Sequence, residues 1–407
     1  MNNPGFVIGN IACADDFWNR EKEIEAIWQT IAKDNILLIA PRRFGKTSIT
    51  NDLYINHPEN YKVFFDDTES IRKPEEFISR LIVLILKDDV LGNLYRSLKE
   101  KISGSLNKIE ATIRVEDLPE FRIKLNESLE KDWQEKGLEL INHLKNYNGN
   151  IIFILDELPE LIKNIERNCN SNAAIDFLQW FRRIRQSEEL KHIRWLVGGS
   201  ISFNYVVGKI GAGIKTINDF QQIRIGALFE ADAREYIKAL LKKEAPGMKI
   251  KTDVLDHLMN IIGTPIPYFI QMLLKESLNE MNRQKCKSLT IEIIEHAYNE
   301  NILGPMSRSY FDHYYSRLKD YFDQELENIA KILLTHIAKR GDENKIELHK
   351  LFNALSKGKY NSNDFSSLMA SLENDYYVSF NDNSKCYSFA IKVLRDWWIR
   401  YYDLIEA

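Results

Sequence analysis

The stretch NILLIAPRRFGKT, Asn35 to Thr47, joins a run of branched apolar residues to a loop rich in cations and closes on Gly45-Lys46-Thr47. A buried strand that runs through such a loop into a helix offers successive backbone N–H groups and a helix N-terminus to an anion. Ala40, Pro41, Arg42, Arg43, Phe44, Gly45, Lys46 and Thr47 fit the pattern GxxxxGK(S/T), with Ala40 in place of the first glycine and Ser48 following. In this pattern the Lys46 ammonium reaches the outer phosphates of a nucleoside triphosphate, and the Thr47 hydroxyl ligates magnesium. A methyl group at Ala40 is tolerated if its φ is negative.

A second constellation is NIIFILDELPEL, in which an apolar run leads into Asp156 and Glu157. At the carboxyl end of a strand in an open α/β sheet, Asp156 can hold magnesium and Glu157 can polarise an attacking water. Alone, an apolar run ending in two acids is a common strand terminus; downstream of a phosphate loop it completes a nucleotide site. In a third stretch, IRWLVGGSISF, a strand tip ends in Gly198-Gly199-Ser200, which suits Ser200 to sensing the γ-phosphate or simply to turning the chain.

Positioning these groups requires a parallel sheet wrapped by helices, and the chain alternates accordingly between short apolar runs and long amphipathic stretches. The expected strands are NILLIA (35–40), YKVFFDD (61–67), NIIFIL (150–155), IRWLVGG (193–199) and QIRIG (222–226), each read as buried on both faces. Between the second and third lies a helical insertion, about residues 74–148, with Pro74 suited to a first helical turn and an amphipathic stretch from Leu118 to Tyr147. The reading is α/β: a P-loop core over 1–227, a helical lid over 228–304 and a winged helix over 305–407. The last rests on the order helix, helix, helix, hairpin, followed by an aromatic-rich closing helix, VLRDWWIRYYDL.

A net charge of −4, from 55 basic and 59 acidic residues, argues against a chain coated in nucleic acid and leaves room for a local basic patch. The 4 cysteines stand far apart without a C-x-x-C pair, as reduced thiols of a cytoplasmic protein do. No apolar run approaches the about 18 residues that span a membrane, and no signal peptide is apparent.

Together FWNREKEIEAIW, APRRFGKTSI, IFILDELPEL, WLVGGSISF and GTPIPYFIQMLL resemble the archaeal and bacterial ATPase family of the AAA-like and STAND branches, which is related to origin-recognition-type initiators. The resemblance runs from about residue 15 to 275. It implies ATP and Mg²⁺ as ligands, Arg20-Glu21 as a box that shapes the adenine side, and Pro267 as the lid proline that closes over the nucleotide. The other reading of Arg20-Glu21 is an exposed ion pair on a surface helix. One departure is the arginine finger of AAA-type relatives: Ile201 to Ile223 contain no arginine, only Lys209 and Lys215. Arg182, Arg183 and Arg185 remain as substitutes, or else as a solvated basic helix face.

The favoured reading is a slow ATPase that works as a switch and signals its nucleotide state to a protein partner or by self-association, in regulation or phage defence. The alternative is an initiator-like ATPase that grips DNA with its winged helix; a binding-only interaction module is disfavoured by intact Lys46, Thr47, Asp156 and Glu157. The DNA reading is weakened because SNDFSSLMASLEND, the segment that would enter the major groove, has no Lys or Arg and carries Asp364, Glu373 and Asp375.

Overall fold

The structure is a computed structural model that describes residues 4–92, 125–199 and 203–403. The chain forms two compact units: Glu21–Ala40 with Ile49–Arg224, and Met1–Arg20 with Pro41–Ser48 and Ile225–Ala407.

The first unit is built on β1 (Asn35–Ile39), β2 (Tyr61–Asp67), β3 (Asn150–Asp156), β4 (Ile193–Gly199) and β5 (Phe220–Arg224). They form one parallel sheet in the order β2-β3-β4-β1-β5, so β4 separates β1, which leads into the phosphate loop, from β3, which ends in the acid pair. Continuous Ile, Leu, Val and Phe runs form the central strands because both of their faces are covered. The fifth strand differs from the expectation: it begins earlier, at Phe220, and exposes Gln221, Gln222 and Arg224, because it is the edge of the sheet.

Register sets the core. Phe64 on β2 pairs with Phe153 on β3, which pairs with Trp195 on β4, and the rings stack at 5.2 and 4.7 Å across the three strands. The Asn35 side chain accepts a hydrogen bond from the Trp195 N–H at 2.9 Å and ties β1 to β4 at their entry.

Helical layers flank this sheet: α1 (Glu21–Ile31), α2 (Lys46–Ile55), α3 (Pro74–Lys87), α4 (Trp133–Leu144), α5 (Leu158–Asn168), α6 (Ser171–Arg185) and α7 (Phe203–Lys209). Pro74 starts α3, where its missing N–H has no cost. Phe77 of α3, Trp133 of α4 and Phe177, Trp180 and Phe181 of α6 interlock edge-to-face and tilted. The first part of the Leu118–Tyr147 stretch, up to residue 124, lies outside the described residues.

In the second unit α8 (Glu230–Glu244), α9 (Thr252–Ile262), α10 (Pro267–Arg283) and α11 (Ile291–His296) come first, then α12 (Ser309–Tyr321). Next are α13 (Gln324–Arg340), β6 (Asp342–Asn344), α14 (Lys345–Ser356), α15 (Ser362–Asn374), β7 (Val378–Asn381), β8 (Cys386–Phe389) and α16 (Lys392–Tyr402). The three short strands make an antiparallel sheet in the order β6-β8-β7, which adds β6 to the helix, helix, helix, hairpin order read from the sequence. The closing aromatic helix is a brace: Trp397 stacks on Phe311 of α12 at 5.5 Å, and Phe311 on Phe269 of α10 at 5.7 Å. Trp398 donates its indole N–H to Thr335 of α13 at 2.9 Å. Among the described residues no helix is long and apolar enough to cross a membrane.

Candidate functional site

The phosphate loop leaves β1 at the carboxyl edge of the sheet, and Lys46 opens α2. Ala40 keeps a φ outside the positive range, so its methyl group is accommodated as the sequence requires. The loop reverses through a turn in which the Phe44 N–H donates to the Pro41 carbonyl at 3.3 Å, with Arg43 at φ 75°. A positive φ at that position is the type II pattern, usually filled by glycine. Gly45 follows at φ 89°; open space surrounds the site of its missing Cβ, so backbone conformation and not crowding calls for glycine. Lys46 and Ser48 are buried, and the Ser48 hydroxyl accepts from the Ala12 N–H at 3.0 Å.

Side chains from distant parts of the same unit hold this loop. Arg20 is only 4% exposed, and one guanidinium nitrogen donates to the carbonyls of Phe44 at 3.3 Å and Gly226 at 3.0 Å. It is therefore a buried tie on the loop backbone. Arg43 lies over the Tyr268 ring, 4.4 Å from its centre, and Tyr268 follows Pro267, the first residue of α10. The Tyr314 hydroxyl of α12 donates to the Arg42 carbonyl at 3.4 Å. Phe44 is buried with its ring 5.1 Å from that of Tyr376, which follows α15. Beside these contacts burial pushes the His313 imidazole down to about 3, and the positive charges of Arg42, Arg43 and Arg317 press in the same direction.

The acid pair lies in the other unit. Asp156 is buried at the end of β3, and Glu157 caps α5 in the left-handed conformation, φ 55° and ψ 36°. The Asp156 carboxylate accepts from the Glu157 N–H at 3.0 Å. The Asp156 carbonyl accepts twice from Thr68, from its N–H at 3.0 Å and from its hydroxyl at 2.7 Å. Nearby, at the end of β2, Arg80 pairs with Asp66 at 3.0 Å and donates to the Ser70 hydroxyl at 2.9 Å. Ser200 lies outside the described residues; β4 ends just before it, at Gly199.

The candidate substitutes for an arginine finger divide. Arg185 is buried, donates twice to the Asp219 carboxylate at 2.9 Å and also to the Thr216 carbonyl at 2.8 Å. That is a structural ion pair, neither a finger nor a solvated face. Arg182 bonds the Asn218 side chain at 2.8 Å, and Arg183 is exposed.

Tyr268, Tyr314 and Tyr376 carry no sign in the sequence that they touch this machinery. Thr68 follows Asp66-Asp67 at a strand end, the one local hint available.

No family model and no curated protein matches the chain. Among solved structures it is similar to a Walker-type ATPase of Pyrococcus abyssi, at 14% identity over 97% of this chain and 98% of that one, with a TM-score of 0.60. It is also similar to the Aeropyrum pernix ORC2 protein in its ADPNP–ADP complexes, at 12% identity over 98% and 95% of the two chains, with a TM-score of 0.53. At such identities the likeness is one of fold: a P-loop ATPase sheet with helical layers, shared over nearly the whole of each chain.

Proposed function

We propose that the protein binds MgATP, hydrolyses it slowly and uses the nucleotide state as a switch read by a protein partner or by a second copy. The observation that carries this reading is the phosphate loop itself, set between a buried strand and a helix, with Lys46 and Thr47 at the helix start. Lys46 supplies the cation for the outer phosphates. Thr47 and Asp156 are hard oxygen donors, the chemistry that magnesium prefers when it is shared with substrate phosphates. Bound magnesium would neutralise phosphate charge. Glu157 takes the proton of the attacking water, whose oxygen bonds the γ-phosphorus as the bond to the bridging oxygen breaks. Ser200 is the proposed γ-phosphate sensor, and Arg20 and Pro267 shape the loop and the start of the lid. The two similar structures, a Walker-type ATPase and a protein in ADPNP–ADP complexes, support the assignment of ATP.

Support for a switch comes from the second unit, where Tyr268, Tyr314 and Tyr376 all touch residues of the phosphate loop. A change in the loop on nucleotide binding must therefore be felt by the lid helices and by the proposed winged helix. The DNA-gripping alternative is less well supported. The outward face of α15 consists of Ser362, Asn363, Ser366, Ser367 and Ala370, without a cation to meet phosphate. Its carboxylates are engaged within the fold: Asp364 completes a capping box with Asn361, Glu373 accepts from the Phe380 N–H, and Asp375 is buried near Arg317.

Calorimetric titration tests the assignment. The wild-type protein binds ATP with magnesium, and Lys46→Ala abolishes tight binding because the outer phosphates lose their cation. Undiminished affinity in Lys46→Ala removes the reading. Glu157→Gln then separates the steps: it retains ATP without turning it over, and hydrolysis at the wild-type rate dismisses Glu157 as the base.

A further inference from the structure

The peptide between Asp156 and Glu157 is fixed on both of its sides. Its carbonyl, that of Asp156, accepts from the Thr68 hydroxyl at 2.7 Å and from the Thr68 N–H at 3.0 Å. Its N–H, that of Glu157, donates to the Asp156 carboxylate at 3.0 Å. Thr68 is fully buried, so water does not compete for its hydroxyl.

The bolted peptide has a conformational consequence. Glu157 stands at φ 55° and ψ 36°, a conformation that a residue with a Cβ leaves unless its surroundings hold it. The backbone at Glu157 decides where its carboxylate points, and the Asp156–Glu157 peptide decides which way the Asp156 carboxylate turns. Strand pairing supplies the Thr68 N–H bond to the Asp156 carbonyl, and the Thr68 hydroxyl adds a second bond that pairing alone does not. Asp67 and Asp156 are the last partners in the β2–β3 register, and Thr68 continues the alignment one residue past the end of the strand.

We infer that Thr68 is a positioning residue for hydrolysis: its hydroxyl holds the Asp156–Glu157 peptide so that Glu157 stays left-handed and its carboxylate stays aimed at the attacking water. The inference rests on the ATPase reading. Thr68 touches neither nucleotide phosphates nor water in this role; it acts through the backbone of the two acids. A misplacement of about 1 Å in a group that acts on the reacting atoms costs roughly 100-fold in rate. Loss of the hydroxyl alone, with the Thr68 N–H bond retained, should cost less than that full amount.

Thr68→Val keeps the shape and the backbone N–H but removes the hydroxyl; Thr68→Ser keeps the hydroxyl. Full-length wild-type protein and both variants are compared for steady-state MgATP hydrolysis, for affinity toward a non-hydrolysable ATP analogue, and for thermal midpoint. The expected result is a kcat lowered roughly 10- to 100-fold in Thr68→Val, with analogue affinity within about twofold of wild type. Thr68→Ser should recover most of that kcat. A Thr68→Val kcat within about twofold of wild type overturns the inference. So does an equal loss of kcat in both variants, or a loss that follows the thermal midpoint, since each is what a merely structural threonine gives. Wild-type protein that binds the analogue but never hydrolyses MgATP overturns the ATPase reading, and this inference with it.

Discussion

The Phe44 ring of the phosphate loop lies 5.1 Å from the ring of Tyr376, tilted by 55°. Tyr376 is itself left-handed at φ 59°. Two unusual backbone conformations, at Arg43 and at Tyr376, thus flank one aromatic contact that anchors the loop.

That contact predicts the behaviour of Tyr376→Ala. An aromatic pair contributes about 0.5–1.5 kcal/mol beyond the area it buries. Its loss frees the loop before binding, so ATP affinity should fall by about two- to tenfold, with Lys46 and Thr47 unaltered. Titration with a fluorescent ATP analogue checks this, and tighter binding in the variant would mean that the contact restrains the loop instead of preorganising it.

Arg185→Ala should act on stability and not on turnover. The guanidinium and the Asp219 carboxylate are both shielded, and removing one member of such a pair strands the other at a cost of about 3–5 kcal/mol. Arg183→Ala, at an exposed position, should leave the thermal midpoint within about a degree of wild type. Chemical denaturation of both variants distinguishes them; equal midpoints would remove the structural role assigned to Arg185.

Position along α6 carried this distinction in the sequence. Ala174, Phe177, Leu178, Phe181 and Ile184 are its buried stripe, and Arg185 falls on that stripe one turn after Phe181. Read by composition, the basic triplet looked like a helix face in water; read by period, one of its members belonged inside. The sheet was legible because buried parallel strands are continuous apolar runs, and the phosphate loop because its chemistry is contained in a few consecutive residues. Thr68, Tyr314 and Tyr376 were not, since each acts on a backbone group or ring far away in sequence. The carboxylates of α15 lie between these cases: Asn361 and Asp364 have the spacing of a capping box, which marks the Asp364 carboxylate as engaged by its own helix.

His313 makes stability depend on acid. Its folded value, about 3, lies below the unfolded value of about 6.5, so between those limits the unfolded chain binds the additional proton. Stability should be complete above pH 6.5 and decline as pH falls toward 3, by at most about 1.4 kcal/mol per pH unit from this group. Urea denaturation of the wild type and of His313→Gln at pH 7 and pH 5 measures it. The variant, which has no proton to take up there, should lose less stability over that interval, and parallel losses would exclude His313 as a source.

The proposed winged helix should not read DNA sequence. With no cation on the outward face of α15, binding of the full chain to duplexes at physiological salt should be weak and sequence-independent, through exposed lysines such as Lys339 and Lys357. Fluorescence anisotropy with random and selected duplexes decides this. Sub-micromolar, sequence-selective binding that is lost when Lys339, Arg340, Lys345, Lys357 and Lys359 are neutralised would reinstate the initiator-like reading.

The pairing of Phe44 with Tyr376 and of Arg42 with Tyr314 also sets a timetable for biosynthesis. Ribosomes add roughly 5–20 residues per second, so on the order of half a minute passes between the emergence of Phe44 and that of Tyr376. Tyr268 and Tyr314 emerge within that interval, so the nascent phosphate loop gains its contacts one at a time and lacks the Tyr376 ring until the end. A ribosome that stalls before α15 leaves behind a phosphate loop without its Tyr376 contact.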